Sequence, residues 1–325
     1  MIPAELEDTL RGRLKGRVET DWPLARFTTY RLGGPAMLYV EPASSDDLVA
    51  LGNTLQVIEN PLPVLVLGRG SNLVISDKGW PGVAIRPGAE FAWLEGIDAP
   101  ARGRAPRLRA GAATSMPLLA NWSARRGLSG LEFAIAIPGS VGGAVRMNAG
   151  AHGTETSDSL HSARVFDLAT AQLEDRPNEG FGFSYRRSNL DQNHLVVDAT
   201  WSLETSDVAK VRSDMEGYRR HRAATQPGAV QNAGSVFKNP PGGSAGRLVE
   251  AAGLKGCRIG GASVSTLHAN FFIASEGATA QDVYELVHAV GQKVQETFGI
   301  ELEPEIRFAG PYDEPSQPLV SVGNP

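Results

Sequence analysis

The chain has 325 residues, 42% hydrophobic and 21% charged, a mix that supports a buried core and excludes a disordered chain. At roughly 150 residues per domain, about two domains are expected. Lys and Arg number 31 against 36 Asp and Glu, so the net charge of −5 argues against a nucleic-acid binder, and the lone Cys257 excludes an internal disulfide framework or a thiolate metal cluster.

The opening MIPAELEDTLRGRLKG has no apolar core of the signal-peptide kind. The apolar stretch between Glu132 and Arg146 is too short for a bilayer and is broken by Pro138, Gly139, Gly142 and Gly143. With a single cysteine, a cytoplasmic protein without a membrane segment is expected.

Leu6, Leu10 and Leu14 recur every four residues and predict a short opening helix. Residues 36–40 read as a strand. Ser44 is a predicted N-cap for a helix carrying Leu48, Leu51 and Leu55. Residues 64–67, 83–85 and 107–110 read as strands. A helix with Leu118, Leu119 and Trp122 is expected from about Thr114 to the stop at Gly127. Residues 138–153 read as a glycine-rich loop. Strands follow at 163–168 and 195–203. Val208, Val211, Met215 and Tyr218 mark a helix that ends in Arg219-Arg220-His221-Arg222, where positive charge suits the carboxyl end of the helix dipole. Residues 244–252 predict a helix stopped by Gly253, and 270–274 a strand. Thr279 caps a helix with Val283, Leu286, Val287, Val290 and Val294. Residues 306–308 read as a last strand, and the proline-rich tail from Pro311 is expected to fray. Helices and strands mix without strict alternation, which predicts an α+β fold, with a break near Thr205.

Five segments carry chemistry. Gly68-Arg69-Gly70-Ser71-Asn72 follows a strand but lacks the third glycine of a dinucleotide fingerprint and the lysine of a P-loop. It is either an anion nest for a diphosphate or a tight turn. Pro138-Gly139-Ser140-Val141-Gly142-Gly143-Ala144, with Asn148 and Gly150 just beyond, lets backbone approach a flat ligand closely, or forms a buried crossing. Tyr185-Arg186-Arg187 sets an arginine fork beside an aromatic ring, suited to a carboxylate or phosphate, or is a surface pair. Gly234-Ser235-Val236-Phe237-Lys238-Asn239 offers a hydroxyl and an ammonium outside any hydrolase elbow, or a turn serine. In Glu303-Pro304-Glu305-Ile306-Arg307, a strand would set Glu305 and Arg307 on one face, as a site pair or a surface ion pair. None of the six histidines forms an i,i+4 metal pair, so no metal is expected.

In this order, and with Thr29-Tyr30-Arg31-Leu32-Gly33-Gly34 near the start, the segments resemble the UDP-N-acetylenolpyruvoylglucosamine reductases, or UDP-N-acetylmuramate dehydrogenases. The resemblance runs from about Thr28 to Gly310. Thr266-Leu267-His268-Ala269-Asn270-Phe271 and the short middle region are similar to the family's shorter subtype, which lacks an extra substrate-covering loop. The resemblance implies an FAD-binding domain of the PCMH type over 28–204 and a smaller α+β substrate-binding domain over 205–310. These would be flanked by a helical segment at 1–27 and a tail at 311–325. It implies non-covalent FAD held by Gly68, Arg69, Gly70, Ser71, Asn72, Pro138, Gly139, Ser140, Gly142, Gly143, Asn148 and Gly150. Arg186, Ser235 and Glu305 fall on the catalytic trio. Arg222, Lys238 and Asn239 would meet the nucleotide sugar. NADPH is the implied hydride donor, UDP-N-acetylglucosamine enolpyruvate the implied substrate, and no obligate protein partner is implied. Ala151-His152-Gly153 departs from the family's frequent Ala-Tyr-Gly, and Gln231-Asn232 is unusual for the subtype.

Overall fold

A computed structural model describes residues 4–97, 105–228 and 230–320. The chain forms two compact units that interleave in sequence. The first takes residues up to Thr20, Met37–Arg69 and Gly82–Arg222, and the second takes Asp21–Ala36, Gly70–Pro81 and the chain from Ala223. Both mix helices and sheets, as an α+β fold requires. Among the described residues, no helix is long and apolar enough to cross a membrane.

In the first unit, helix Ala4–Arg13 buries Leu6 and Leu10 beside Leu38, Val40, Val83 and Ile85. Helix Ser45–Gln56 starts where the sequence suggests: the Asp47 N–H donates to the Ser44 hydroxyl at 3.2 Å. An antiparallel five-stranded sheet runs in the order Gln172–Pro177, Leu160–Asp167, His194–Ser202, Arg107–Gly111, Leu94–Ile97. It separates two cores. Arg164 pairs with Asp198 and Val165 with Val196, so Val197 bulges out of register. An extra residue reverses the alternation of a strand. Leu195 and Val197 accordingly enter the core of the opening helices, while Ala199 and Trp201 enter the other core with Val165 and Leu108.

Asp198 lies next to that bulge with its carboxylate almost fully buried. Arg109 Nε donates to it at 2.8 Å and Arg164 Nε at 2.7 Å. Two guanidinium groups, each about 30% exposed, thus hold one buried charge between three adjacent strands.

The glycine-rich stretch differs from its sequence reading. Val141–Met147 is a short helix, not a loop. Ser140 supplies the cap that its two glycines make necessary, and Ala144 and Val145 are buried against the sheet core. The helix beginning at Val208 continues past Arg222 to Thr225.

The second unit packs helices Ala245–Ala251 and Ala280–Phe298 on an antiparallel sheet of Arg258–Ile259, Ala262–Val264 and Phe272–Ala274. A capping box starts the long helix. Asp282 N–H donates to Thr279 Oγ1 and Thr279 N–H to Asp282 Oδ2, both at 3.0 Å. Strand Arg307–Ala309 pairs in parallel with Leu73–Ile75. It begins after Glu305, so no strand geometry sets Glu305 and Arg307 on one face. The tail does not fray over its described part. Tyr312 stacks on Tyr284 at 4.5 Å, Gln317 N–H donates to Glu285 at 2.9 Å, and Val320 bridges to Arg258. One aromatic anchor outweighs the four prolines that suggested disorder. Residues 321–325 of the expected tail lie outside the described residues.

Replacing Asp198 with Ala leaves two arginines facing an empty buried position. We expect a loss of about 3 kcal/mol, the low end for a broken buried pair because both arginines keep some solvent. Urea unfolding of Asp198→Ala measures it, and a loss under about 1 kcal/mol would show that the carboxylate is not what holds these strands.

Candidate active site

A cleft opens in the first unit at the end of strand Val64–Val66. Gly68 and Arg69 form one wall, and Ser140, Gly142 and Gly143 form another. The walls meet closely: a Cβ on Gly68 would sit 2.6 Å from Ser140 Oγ. Arg69 Nε donates to the Pro138 carbonyl at 3.2 Å. The Gly139 carbonyl accepts from Met116 N–H at 3.1 Å, and Gly143 N–H donates to Ser140 Oγ at 3.4 Å. Arg86 and Arg146 join Arg69 around the cleft, whose apolar side is Leu67, Ala112, Leu190 and Val196. Bare backbone, an apolar wall and three guanidinium groups fit a flat ring system bearing a diphosphate, such as FAD.

Five other residues of the expected cradle are absent from the lining of this cleft. Gly70, with φ +60°, lies in the second unit, where its carbonyl accepts from Thr29 N–H at 3.2 Å, and Ser71 lies beside it there. Asn72 Nδ2 donates to the Glu305 carbonyl at 3.0 Å, and the Asn72 carbonyl accepts from Arg307 N–H at 3.0 Å. Asn148 caps helix Val141–Met147 at φ +42°, and Gly150 belongs to the surroundings of Arg186.

Arg186 sits at a tight turn, with φ +56° and the flanking Ser184 and Arg187 exchanging both backbone hydrogen bonds. Its Nη2 donates to the Gly150 carbonyl at 2.9 Å and its Nη1 to Glu155 Oε1 at 3.3 Å. Asn148 Nδ2 donates to the other Glu155 oxygen at 2.7 Å and to the Ser184 carbonyl at 3.1 Å. A Cβ on Gly150 would lie 2.7 Å from the Thr154 carbonyl oxygen and 3.0 Å from Arg186 Nη1, so a side chain there would crowd the hairpin that holds Arg186. Glu155 escapes sequence reasoning, because a carboxylate in a polar loop carries no distinguishing pattern. Arg222 donates to the Ala136 carbonyl, and burial lowers its pKa.

In the second unit, Ser235 and Glu305 stand on neighbouring segments. Glu305 N–H donates to the Val236 carbonyl at 2.7 Å, and Lys238 N–H to the Glu303 carbonyl at 2.9 Å. The buried Asn270 locks the serine segment from the other side. Its Nδ2 donates to the Phe237 carbonyl at 2.8 Å, and its Oδ1 accepts from Phe237 N–H at 2.9 Å. Lys238 Nζ pairs with the exposed Glu303 at 2.6 Å, and Asn239 Oδ1 accepts from Ala245 N–H at 3.0 Å.

The sequence pattern of a UDP-N-acetylenolpyruvoylglucosamine reductase C-terminal domain matches residues 226–309, and that of an FAD-binding domain matches 36–175. A reductase of that name from Symbiobacterium thermophilum is 43% identical over 91% of this chain and 93% of its own length. The chain belongs to the UDP-N-acetylenolpyruvoylglucosamine reductase family. One from Geobacter metallireducens is 39% identical over 94% of this chain and 98% of its own. The crystal structure of the reductase from Thermus caldophilus superposes with a TM-score of 0.76 at 37% identity, covering 91% of this chain and all of that one. The matched FAD-binding domain contains the Gly68–Arg69 and Ser140–Gly143 walls of the cleft, and the matched C-terminal domain contains Ser235, Lys238, Asn239 and Glu305.

His268 supports the Ser235 segment through Asn270, whose N–H donates to His268 Nδ1 at 3.2 Å. Burial, first, and nearby Lys255 lower the His268 pKa, while its backbone contact and Glu250 oppose this. The imidazole is therefore neutral at pH 7, with Nδ1 free to accept. Because the folded pKa lies below the unfolded value, stability is full above about pH 6.5 and is lost as pH falls through the folded pKa. Urea midpoints at pH 7.5 and 5.0 should differ less in His268→Gln than in the wild type, and an unchanged difference would remove His268 from the account.

Proposed function

We propose that this chain reduces the enolpyruvyl group of UDP-N-acetylglucosamine enolpyruvate to a lactyl ether. The product is UDP-N-acetylmuramate for peptidoglycan, made in the cytoplasm with NADPH as reductant and without an obligate protein partner. The observation that carries this reading is the hydrogen bond from Glu305 N–H to the carbonyl of Val236, the residue after Ser235, which sets the two segments side by side within the reductase family's own C-terminal domain.

Non-covalently bound FAD supplies hydride transfer between NADPH and the alkene. The protein's task is the charge and the proton. Addition of hydride to the terminal alkene carbon leaves an enolate beside the substrate carboxylate. The Arg186 guanidinium stabilises that anion. Glu305 has to present a proton to it, since a bare carboxylate would repel it. The Ser235 hydroxyl then gives its proton to the carbon bearing the carboxylate, completing the C–H bond, and regains one from solvent. Lys238, Asn239 and Arg222 take the nucleotide sugar. Glu303 is the exposed member of the Lys238–Glu303 pair, so a phosphate can take its place on the Lys238 ammonium. The Asn239 carbonyl oxygen is occupied by Ala245 N–H, which turns its amide NH₂ to ligand use.

The two half-reactions separate the roles. Purified protein should consume NADPH when given the enolpyruvyl nucleotide sugar, and failure to do so overturns the reading. In Ser235→Ala, NADPH should still bleach the flavin, while reoxidation by substrate should slow by about 10²–10⁴-fold, the usual worth of a proton donor. Reoxidation at wild-type speed would remove Ser235 from that role.

A further inference from the structure

Arg186 is held by a hairpin whose tip takes no part in the chemistry above. Strands Gly150–Ala151 and Thr154–Glu155 pair antiparallel, with Glu155 opposite Gly150 and Thr154 opposite Ala151. The two Arg186 acceptors, the Gly150 carbonyl and the Glu155 carboxylate, are therefore the root pair of the hairpin. Two residues, His152 and Gly153, make the turn with φ +55° and +80°, as a type I′ turn requires. So short a hairpin is marginal without outside packing.

The packing it gains is at the tip. The His152 imidazole stacks on the Tyr218 ring of helix Val208–Thr225, with centroids 4.0 Å apart and planes within 8°. His221, one helical turn on, meets His152 edge-on at 5.4 Å. Tyr218 itself packs against the core of the five-stranded sheet. A rigid helix thus grips the tip while Arg186 is bound at the root.

We propose that His152 is a positioning residue for Arg186, its ring clamping the hairpin to the Val208–Thr225 helix so that the Gly150 carbonyl and Glu155 hold the guanidinium in one place. The proposal rests on the reading of Arg186 as the anion-stabilising group. Small displacements of such a group cost rate steeply. The pairing of the two rings sets the scale, about tenfold at most.

The test uses the FAD-loaded enzyme and variants that separate ring from backbone. His152→Asn keeps the preference for positive φ, since Asn-Gly is the favoured type I′ pair, and removes the ring. His152→Phe keeps the ring. In His152→Asn, reoxidation of reduced flavin by substrate should slow about tenfold, and amides of residues 150–156 should exchange faster with deuterium. His152→Phe should recover most of both. Wild-type reoxidation in His152→Asn, or a His152→Phe as slow as His152→Asn, overturns the clamp. Arg186→Gln serves as the reference. If it too reoxidises at wild-type speed, the role of Arg186 falls and the proposal with it. If Arg186→Gln is slow and His152→Asn is not, the proposal alone falls.

Discussion

Candidate catalytic residues stand here on irregular backbone, and irregular backbone must still satisfy its N–H and C=O groups once water is excluded. Side-chain amides meet that demand. Asn148 donates to the Ser184 carbonyl, two residues from Arg186. Asn72 donates to the carbonyl of Glu305 itself. Asn270 exchanges both of its hydrogen bonds with the backbone of Phe237, two residues from Ser235. An amide carries a donor and an acceptor in one plane, so it can mimic a strand edge where no strand fits. Asn148 and Asn270 are fully buried, which raises the cost of leaving either one unsatisfied.

The sheet of the first unit works by a different device. The bulge at Val197 lets one strand feed two cores, and the neighbouring Asp198 draws Arg109 and Arg164 across it. The same strand contributes Val196 to the cleft wall. A register slip there would exchange the faces of Val196 and Val197, one lining the cleft and the other packed in a core. The buried ion pairs thus fix a register on which the cleft depends.

Elements with strong local signals were legible from sequence. Ser44 and Thr279 cap helices because their side chains lie one turn before periodic apolar residues, and the structure shows both bonds. The Val141–Met147 helix was not legible, since Gly142 and Gly143 lower its propensity and only its cap and tertiary packing form it. The motif order also brought Arg186, Ser235 and Glu305 to notice as a trio. What supports them was hidden. Asn72 and Gly150 stood out as members of glycine-rich segments, yet their observed partners are Glu305 and Arg186, 233 and 36 residues away. Contacts across such separations leave no periodicity in a single chain. The tail from Pro311 was misread for the same reason, because Tyr312 finds Tyr284 through the fold and not through local pattern.

Net acidity and recognition of anions coexist because the relevant charges are local. With a screening length of about 8–10 Å, surface carboxylates elsewhere contribute little inside a cleft. What matters is how each cation is tethered. Arg69 donates to the Pro138 carbonyl, Arg222 to the Ala136 carbonyl and Arg186 to the Gly150 carbonyl, whereas Arg86 pairs with the Glu41 carboxylate at 3.1 Å and Arg146, which donates to the Asp191 carbonyl, also interacts with the Asp191 carboxylate. A carbonyl orients a guanidinium without cancelling its charge, whereas a carboxylate does both. Guanidinium groups held this way arrive preorganised, with field left over for a diphosphate or a developing enolate. Arg186 also meets the Glu155 carboxylate at 3.3 Å, which balances part of its charge, while Asn148 holds the other oxygen of that carboxylate. A chain of net charge −5 can therefore present strongly cationic points wherever backbone, and not acid, is the anchor.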